Sequence, residues 1–304
     1  MRRLIKPTVY LLAATSVLVL LAAVWYFQLF TRLGLHWAAW QHAEARQQDS
    51  LWLPGYRVVQ QARPIEGVAD VSALTWDAER RILLAVTNKP AAVLELSRYG
   101  ALLRQIPLTG ISDPEAIEYL SPGRFIISDE RSQTLVKVRI DASTQALDVR
   151  DAPRLALGIG LNGNKGFEGL AYDPARQKLF VAKERDPMRV YAVQGFPPPD
   201  SGVAQLSIRE MTELNQALVV RDLSSLHFDS RTQHLLAVSD ESRLVLEIDL
   251  DGTLLGSLSL LPGQHGLKRG VPQAEGMTMD EQGVLYLVSE PNLFYRFVPQ
   301  GAED

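Results

Sequence analysis

Asp70-Val-Ser72-Ala-Leu74-Thr-Trp76-Asp77 and Asp222-Leu-Ser224-Ser-Leu226-His-Phe228-Asp229 open two stretches of this chain, Asp70–Leu108 and Asp222–Leu260, that align without a gap. Further along, Leu83-Leu84-Ala85-Val86 falls on Leu235-Leu236-Ala237-Val238, and Val93-Leu94-Glu95 on Val245-Leu246-Glu247. Gly100 meets Gly252, and Leu102-Leu103 meets Leu254-Leu255. A match of this length within one chain is the mark of duplication. A repeated unit that cannot bury its own apolar face must stack against its copies.

Three further copies carry the same opening and middle. Glu115-Ala-Ile-Glu-Tyr119 precedes Phe125-Ile-Ile-Ser-Asp129-Glu130; Glu168-Gly-Leu-Ala-Tyr172-Asp173 precedes Leu179-Phe-Val-Ala-Lys183-Glu184; Glu275-Gly-Met-Thr-Met279-Asp280 precedes Leu285-Tyr-Leu-Val-Ser289-Glu290. The unit starts Ser72, Glu115, Glu168, Ser224 and Glu275 lie about 43 to 56 residues apart, the spacing of propeller blades. In the first unit the β-rich runs are Ala73–Trp76, Ile82–Val86, Val93–Leu96 and Leu102–Ile106. Turn-forming residues separate them, and Gly100 and Gly252 supply the positive φ of tight hairpins. The pattern predicts an all-β, five-bladed β-propeller over residues 54–304. The last unit ends after three strands, near Phe294–Val298, which would leave an apolar edge bare. The spare run Tyr56–Gln61 is expected to pair there and close the ring. A sixth blade would have to come from Leu155–Asn164 or Pro197–Val220, and neither carries the opening motif.

Ahead of the repeats, Arg2, Arg3 and Lys6 precede an uncharged stretch from Val9 to Phe30. As a helix that stretch spans roughly 33 Å, enough for a hydrocarbon core. The expected layout is a basic cytoplasmic tail over 1–8, a single transmembrane helix over 9–30, a linker over 31–53 and the propeller beyond. Trp25, Tyr26, Trp37 and Trp40 suit an interfacial belt, and the cations favour an N-terminus inside, with the propeller in the periplasm of a bacterial inner membrane. A cleaved signal peptide is the alternative; the apolar run is long for one and lacks a small-x-small exit.

Composition narrows the chemistry. A net charge of −4 argues against a nucleic-acid partner, which needs a concentrated basic surface. There is no cysteine, hence no disulfide, thiolate ligand or cysteine nucleophile. Gly158-Ile-Gly160-Leu-Asn-Gly163 matches a dinucleotide fingerprint, but a strand-like run follows where a helix is required. The five histidines show no ligand spacing, and there is no Gly-x-Ser-x-Gly elbow.

In a meandering blade the first strand starts, and the second ends, on one rim. Ser72, Glu115, Glu168, Ser224 and Glu275 should therefore converge with Asn88, Asp129, Glu130, Lys183, Glu184, Asp240, Glu241 and Glu290. Glu115, Glu168 and Glu275 should face the axial opening. Carboxylates crowded there repel unless protons or a cation relieve them, and calcium takes six to eight oxygens in irregular geometry. The plainer alternative is that these acids only cap loops.

Ser72-Ala-Leu-Thr-Trp76 with Thr87-Asn-Lys-Pro-Ala-Ala92, Ile126-Ile-Ser-Asp-Glu-Arg131, Gly166-Phe-Glu-Gly-Leu-Ala-Tyr172, Gln273-Ala-Glu-Gly276 and Val288-Ser-Glu-Pro-Asn292 with Phe294-Tyr-Arg-Phe297 resemble the SdiA-regulated (YjiK-type) family. The resemblance covers Ile65 to Pro299. It implies a five-bladed propeller distantly related to NHL-repeat proteins, an N-terminal membrane segment and a calcium ion in the ring, without a ligand list. Two functions remain: a calcium-bound module for an unknown periplasmic ligand or protein, with no catalytic residue assigned, or a calcium-dependent hydrolase of the lactonase or arylesterase type. A histidine beside the metal would favour the hydrolase. A purely structural envelope protein would leave the rim without a ligand.

Overall fold

The computed structural model describes residues 7–26, 33–34, 47–159, 165–197 and 205–302. The chain divides into two compact units, Met1–Ala43 and Glu44–Asp304.

In the first unit the described element is helix α1, Pro7–Tyr26, which carries no charged side chain. Proline at its start has no N–H to lose there, and its fixed φ suits a first turn. Of the span expected over 9–30, residues 9–26 are helical; residues 1–6 of the basic tail and 27–30 lie outside the described residues. Among the described residues no helix is long and apolar enough to cross a membrane.

Among its described residues the second unit has 21 strands, numbered in chain order, that form five sheets. The first sheet runs β2 (Thr75–Asp77), β3 (Ile82–Asn88), β4 (Ala91–Leu96) and β5 (Leu102–Thr109), with the short β9 (Leu147–Asp148) added in parallel outside. The second is β6 (Pro114–Ser121), β7 (Arg124–Asp129), β8 (Thr134–Arg139) and β10 (Arg154–Ala156). The third is β11 (Phe167–Asp173), β12 (Lys178–Lys183), β13 (Arg189–Gln194) and β14 (Ser207–Glu210). The fourth is β15 (Ser225–Asp229), β16 (His234–Ser239), β17 (Leu244–Ile248) and β18 (Leu254–Ser259). The fifth takes β19 (Ala274–Met279), β20 (Leu285–Ser289) and β21 (Leu293–Pro299), and its fourth strand is β1 (Tyr56–Pro64) from the other end of the domain. Each innermost strand lies against the next: β2 on β6, β6 on β11, β11 on β15, β15 on β19, and β19 back on β2. The sheets therefore close a ring of five blades.

The closing strand is the one expected, with Tyr56 opposite Pro299 and Val58 opposite Phe297. The two stretches that could have held a sixth blade instead help complete existing ones, through Arg154–Ala156 in the second sheet and Ser207–Glu210 in the third. Gly100 and Gly252 hold φ of +73° and +90°, as their hairpins require.

Strands β3, β4, β16 and β20 are buried almost end to end, because each blade packs both faces on neighbours. Alternation divides each strand between two cores: Leu84 and Val86 pack with Ile117, Ile127 and Val136 of the second blade, while Leu83 and Ala85 pack with Tyr286, Val288 and Phe294 of the fifth. Between the third and fourth blades Phe180 stacks on Phe228 with ring centroids 5.8 Å apart. The end of the expected linker belongs to this packing. Leu53 is fully buried against the fourth and fifth blades, and the Leu51 N–H donates to Glu247 Oε1 at 2.9 Å.

Candidate metal centre at the acidic mouth

The inner strands of three blades share an irregularity that sets the site. Pairing passes from Pro114 to Ala116, from Phe167 to Gly169 and from Ala274 to Gly276, so the ladder skips Glu115, Glu168 and Glu275. A residue left unpaired in a bulge bends its strand and re-aims its side chain. All three carboxylates turn into one cavity of about 260 Å³ at this end of the ring. Glu130, Glu184, Asp222, Asp240, Glu241 and Glu290 join them there, with Arg185, Ser224 and Gln273.

Most of these groups are held by a neighbour. Asn88 Nδ2 and the Ser72 hydroxyl both donate to Glu115. The Gly166 N–H donates to Glu130 Oε1 at 2.9 Å, the Ala274 N–H to Asp240 Oδ1 at 3.0 Å, and Gln273 Nε2 to Glu290 Oε2 at 2.8 Å. Asp222 accepts from the Ser239 hydroxyl and from the Glu241 N–H. Arg185 pairs with both Glu184 and Glu241. Glu184 Oε2 is not so held: it is buried and accepts no hydrogen bond among the described residues.

The electrostatics follow from crowding. Burial first, then the charges of Glu130, Asp113 and Glu290, push Glu115 up to about 8 against the pull of the Ser72 hydroxyl. Burial and Glu290 lead in raising Glu275 to about 9. Glu184 rises to about 7 through burial and the nearby Glu130, Asp222 and Glu241, with Arg185 opposing. Glu168 is pushed well above the carboxylate range by burial, then by Glu184, Glu275, Glu130 and Glu115. The cavity holds more negative charge than its one guanidinium balances.

Two carboxylate groups have oxygens within 4.8 Å of one another: Asp113, Glu115 and Glu130, and then Glu130, Glu168 and Glu184. Glu130 belongs to both, and Glu275 to neither. The ligand set drawn from sequence, Glu115, Glu168 and Glu275, thus shares one cavity without forming one tight cluster.

Four other expected rim residues do not line the cavity. Ser72 and Asn88 stand behind Glu115 as donors. Asp129 accepts from the Ser112 hydroxyl at 3.2 Å, and the Lys183 ammonium is fully buried, donating to the Lys165 and Arg185 carbonyls. Asp129 and Lys183 are the last paired residues of β7 and β12, opposite Pro114 and Phe167. One residue further, Glu130 and Glu184 face the opposite side, as strand alternation dictates. Ser224 lines the cavity, but its hydroxyl donates to the Ala274 carbonyl at 2.6 Å.

Asp113, Asp222, Arg185 and Gln273 also belong to the site, beyond the residues expected from sequence. A signal for three of them exists. Two residues before each unit start stand Asp70, Asp113, Gly166, Asp222 and Gln273. Gly166 breaks this polar series because a Cβ there would meet the Glu130 carbonyl oxygen at 2.2 Å.

The sequence model of the SdiA-regulated family matches residues 48–298. The chain belongs to this family. Among solved structures it is similar to a luciferin-regenerating enzyme, at 14% identity and a TM-score of 0.49 over 81% of this chain and 95% of that one. It is also similar to a chain of the nidogen/laminin complex, at 14% identity and 0.48 over 77% and 84%, and to a gluconolactonase from Xanthomonas campestris, at 14% and 0.47 over 79% and 90%. At these values none of the three likenesses bears on chemistry.

Proposed function

We propose that this SdiA-regulated protein is a calcium-binding propeller that presents its acidic mouth to a ligand or protein outside the cytoplasm. One observation carries the metal: Glu184 Oε2 is buried without a hydrogen-bond partner, in a cluster with Glu130 and Glu168. An orphaned buried carboxylate oxygen is costly, and a hard cation is the partner that satisfies several such oxygens together. The residue types fit calcium, since the donors are all oxygen and no histidine or cysteine lines the cavity. Glu130, Glu168 and Glu184 would hold the ion, with Asp113 and Glu115 as the adjoining set. Bound there, it would supply positive charge that neutralises the mouth and ties the second and third blades together. The Gly166 N–H and Asn88 Nδ2 already hold Glu130 and Glu115 in place.

Membrane attachment rests on the sequence. The uncharged stretch continues past α1 to Phe30, and three cations precede it. The hydrolase reading asked for a histidine beside the metal. His227, the histidine nearest in sequence, lies three residues beyond Ser224 along the inner strand and lines a different cavity. A binding role therefore stands ahead of a hydrolytic one.

Calcium titration of the chelator-stripped protein, followed by its melting temperature, tests the proposal. A ligand of the folded state must raise the midpoint by mass action. The expected result is a saturable rise with calcium that Glu168→Gln weakens; identical melts with calcium and with chelator would sink it.

A further inference from the structure

The inner strands end in a second cavity of about 260 Å³, separate from the acidic mouth in every lining residue. Trp76, Tyr119, Tyr172 and Phe228 contribute aromatic surface, and Glu118 and His227 lie deeper in the channel, each three residues beyond its unit start. The carboxylates on its wall are Glu118, Asp229, Asp280 and Glu281, against the single guanidinium of Arg231. Arg231 is committed to Asp229 at 2.8 Å, and Asp280 to Arg98 at 3.2 Å and the Tyr286 hydroxyl at 2.8 Å. Glu281 accepts from Trp76 Nε1 at 3.0 Å and has no cation paired with it among the described contacts.

Glu118 is the unusual member. It is 8% exposed and bridges three blades, accepting from the Thr75 hydroxyl at 3.0 Å and the Tyr172 N–H at 2.9 Å. The Tyr119 N–H adds a third pull on the same carboxyl. No cation faces it. His227, across the channel, is kept neutral by burial, which pushes its imidazole down to about 4. A desolvated carboxylate beside aromatic faces is the arrangement that recognises an ammonium or guanidinium with an apolar body, through charge and ring quadrupole together.

We infer that this cavity, between Glu118 and the rings of Trp76, Tyr119 and Tyr172, is a binding site for a small organic cation. The site is independent of the calcium reading. Its occupant would enter past Glu281, set its apolar body on the aromatic wall and place its charge against Glu118.

The test is calorimetric titration of the full chain at about pH 9, where Glu118 is ionised and the amine still cationic, with phenethylammonium, and with 2-phenylethanol and phenylacetate as neutral and anionic counterparts of similar shape. The amine should bind saturably, with the alcohol and the acid weaker by roughly tenfold or more. Glu118→Gln should lower amine affinity by a similar factor and leave the alcohol unmoved. Should Glu118→Gln fail to fold, the exposed Glu281→Gln decides, with a smaller loss expected for the amine alone. Glu66→Gln, on a remote exposed loop, should change nothing. Equal binding of amine and alcohol, an amine affinity unchanged in the folded carboxylate variants, or no saturable amine binding would each overturn the inference.

Discussion

The backbone N–H of Gly166 donates to Glu130 Oε1 at 2.9 Å, while the place its Cβ would occupy is 2.2 Å from the Glu130 carbonyl oxygen. The same residue thus holds a carboxylate in both of the close acidic groups and is barred from carrying a side chain. Gly166→Ala should force β11 away from the end of β7, at a cost of about 1–3 kcal/mol. Calcium affinity should fall with it, because Glu130 loses its fixed position. Urea denaturation read beside calcium titration checks this; an unchanged midpoint and affinity would show the approach to be slack.

The raised carboxyls make a pH prediction with a definite sign. Glu184, Glu115 and Glu275 stand at about 7, 8 and 9 in the folded protein. Each returns to its ordinary value of 4.5 on unfolding. A group that binds its proton more tightly when folded stabilises the fold fully below the unfolded value, and loses that contribution as pH rises through the folded one. The metal-free protein should therefore melt progressively lower from about pH 5 to pH 9. Calcium competes with those protons, so its affinity should climb over the same interval, with protons released on binding. Melting curves at several pH values, with chelator and with calcium, measure both trends; a metal-free melting temperature that rises towards pH 9 would contradict the crowding described here.

Neutralising one acid should separate stability from function. Glu168 is raised by burial and by four neighbouring carboxylates. Glu168→Gln removes that repulsion at the cost of a proposed ligand. We expect the metal-free melting temperature to rise at alkaline pH, where the repulsion acts, and calcium affinity to drop roughly tenfold or more, the trade usual at strained sites. A variant that loses stability in the metal-free state would mean Glu168 is a structural acceptor.

The duplicated blades made much of this legible in advance. Asp70–Leu108 aligned on Asp222–Leu260 contains the strand order of both sheets, and the three-stranded tail near Phe294 pointed to Tyr56–Gln61 as its partner. The mouth was legible as a rim and not as a set of contacts. A single-residue offset decides whether Glu130 or Asp129 faces the axis, and bulges at Glu115, Glu168 and Glu275 shift that register in a way no hydrophobic pattern records. Lys183 looked like a rim residue because its burial is made possible by two carbonyls, of Lys165 and Arg185, that only the folded chain brings together.

Aligned residues Glu95 and Glu247 do equivalent work with different partners, which yields a further prediction. Glu95 accepts from Arg80 at 2.6 Å and from Arg104 at 2.9 Å, whereas Glu247 accepts from His234 Nδ1 and the Leu51 N–H, both at 2.9 Å. Burial alone would raise Glu95, but the hydrogen bonds and charges of Arg104 and Arg80 outweigh it and hold the carboxyl below its usual value. Glu95→Ala leaves Arg80 with Asp77 and Arg104 with the carbonyls of Asp141, Ala142 and Thr144, so the loss should be about 1–3 kcal/mol, discounted for the solvent contact both guanidiniums keep. The contribution of Glu95 should be present at neutral pH and fade as pH falls below its unfolded value. Denaturation midpoints of the variant at neutral and acid pH check both statements; a loss that persists undiminished in acid would assign the effect to packing instead.

Ring closure gives the last prediction. Strand β1 pairs with β21 from Tyr56–Pro299 to Pro64–Leu293, and the Tyr56 hydroxyl donates to the Gly283 carbonyl at 3.0 Å. Without β1 the apolar edge of β21 is open to any other strand, the usual route to aggregation. A chain beginning at Ile65 should therefore be insoluble or associated, while one beginning at Asp49 keeps the closing strand and should melt as the full-length domain does. A peptide spanning residues 47–64, added in trans, supplies the same main-chain hydrogen bonds and the buried Leu53 and Tyr56. It should return the shorter chain to a monomer in sedimentation. A chain from Ile65 that is folded and monomeric without the peptide would show that the ring does not depend on this strand.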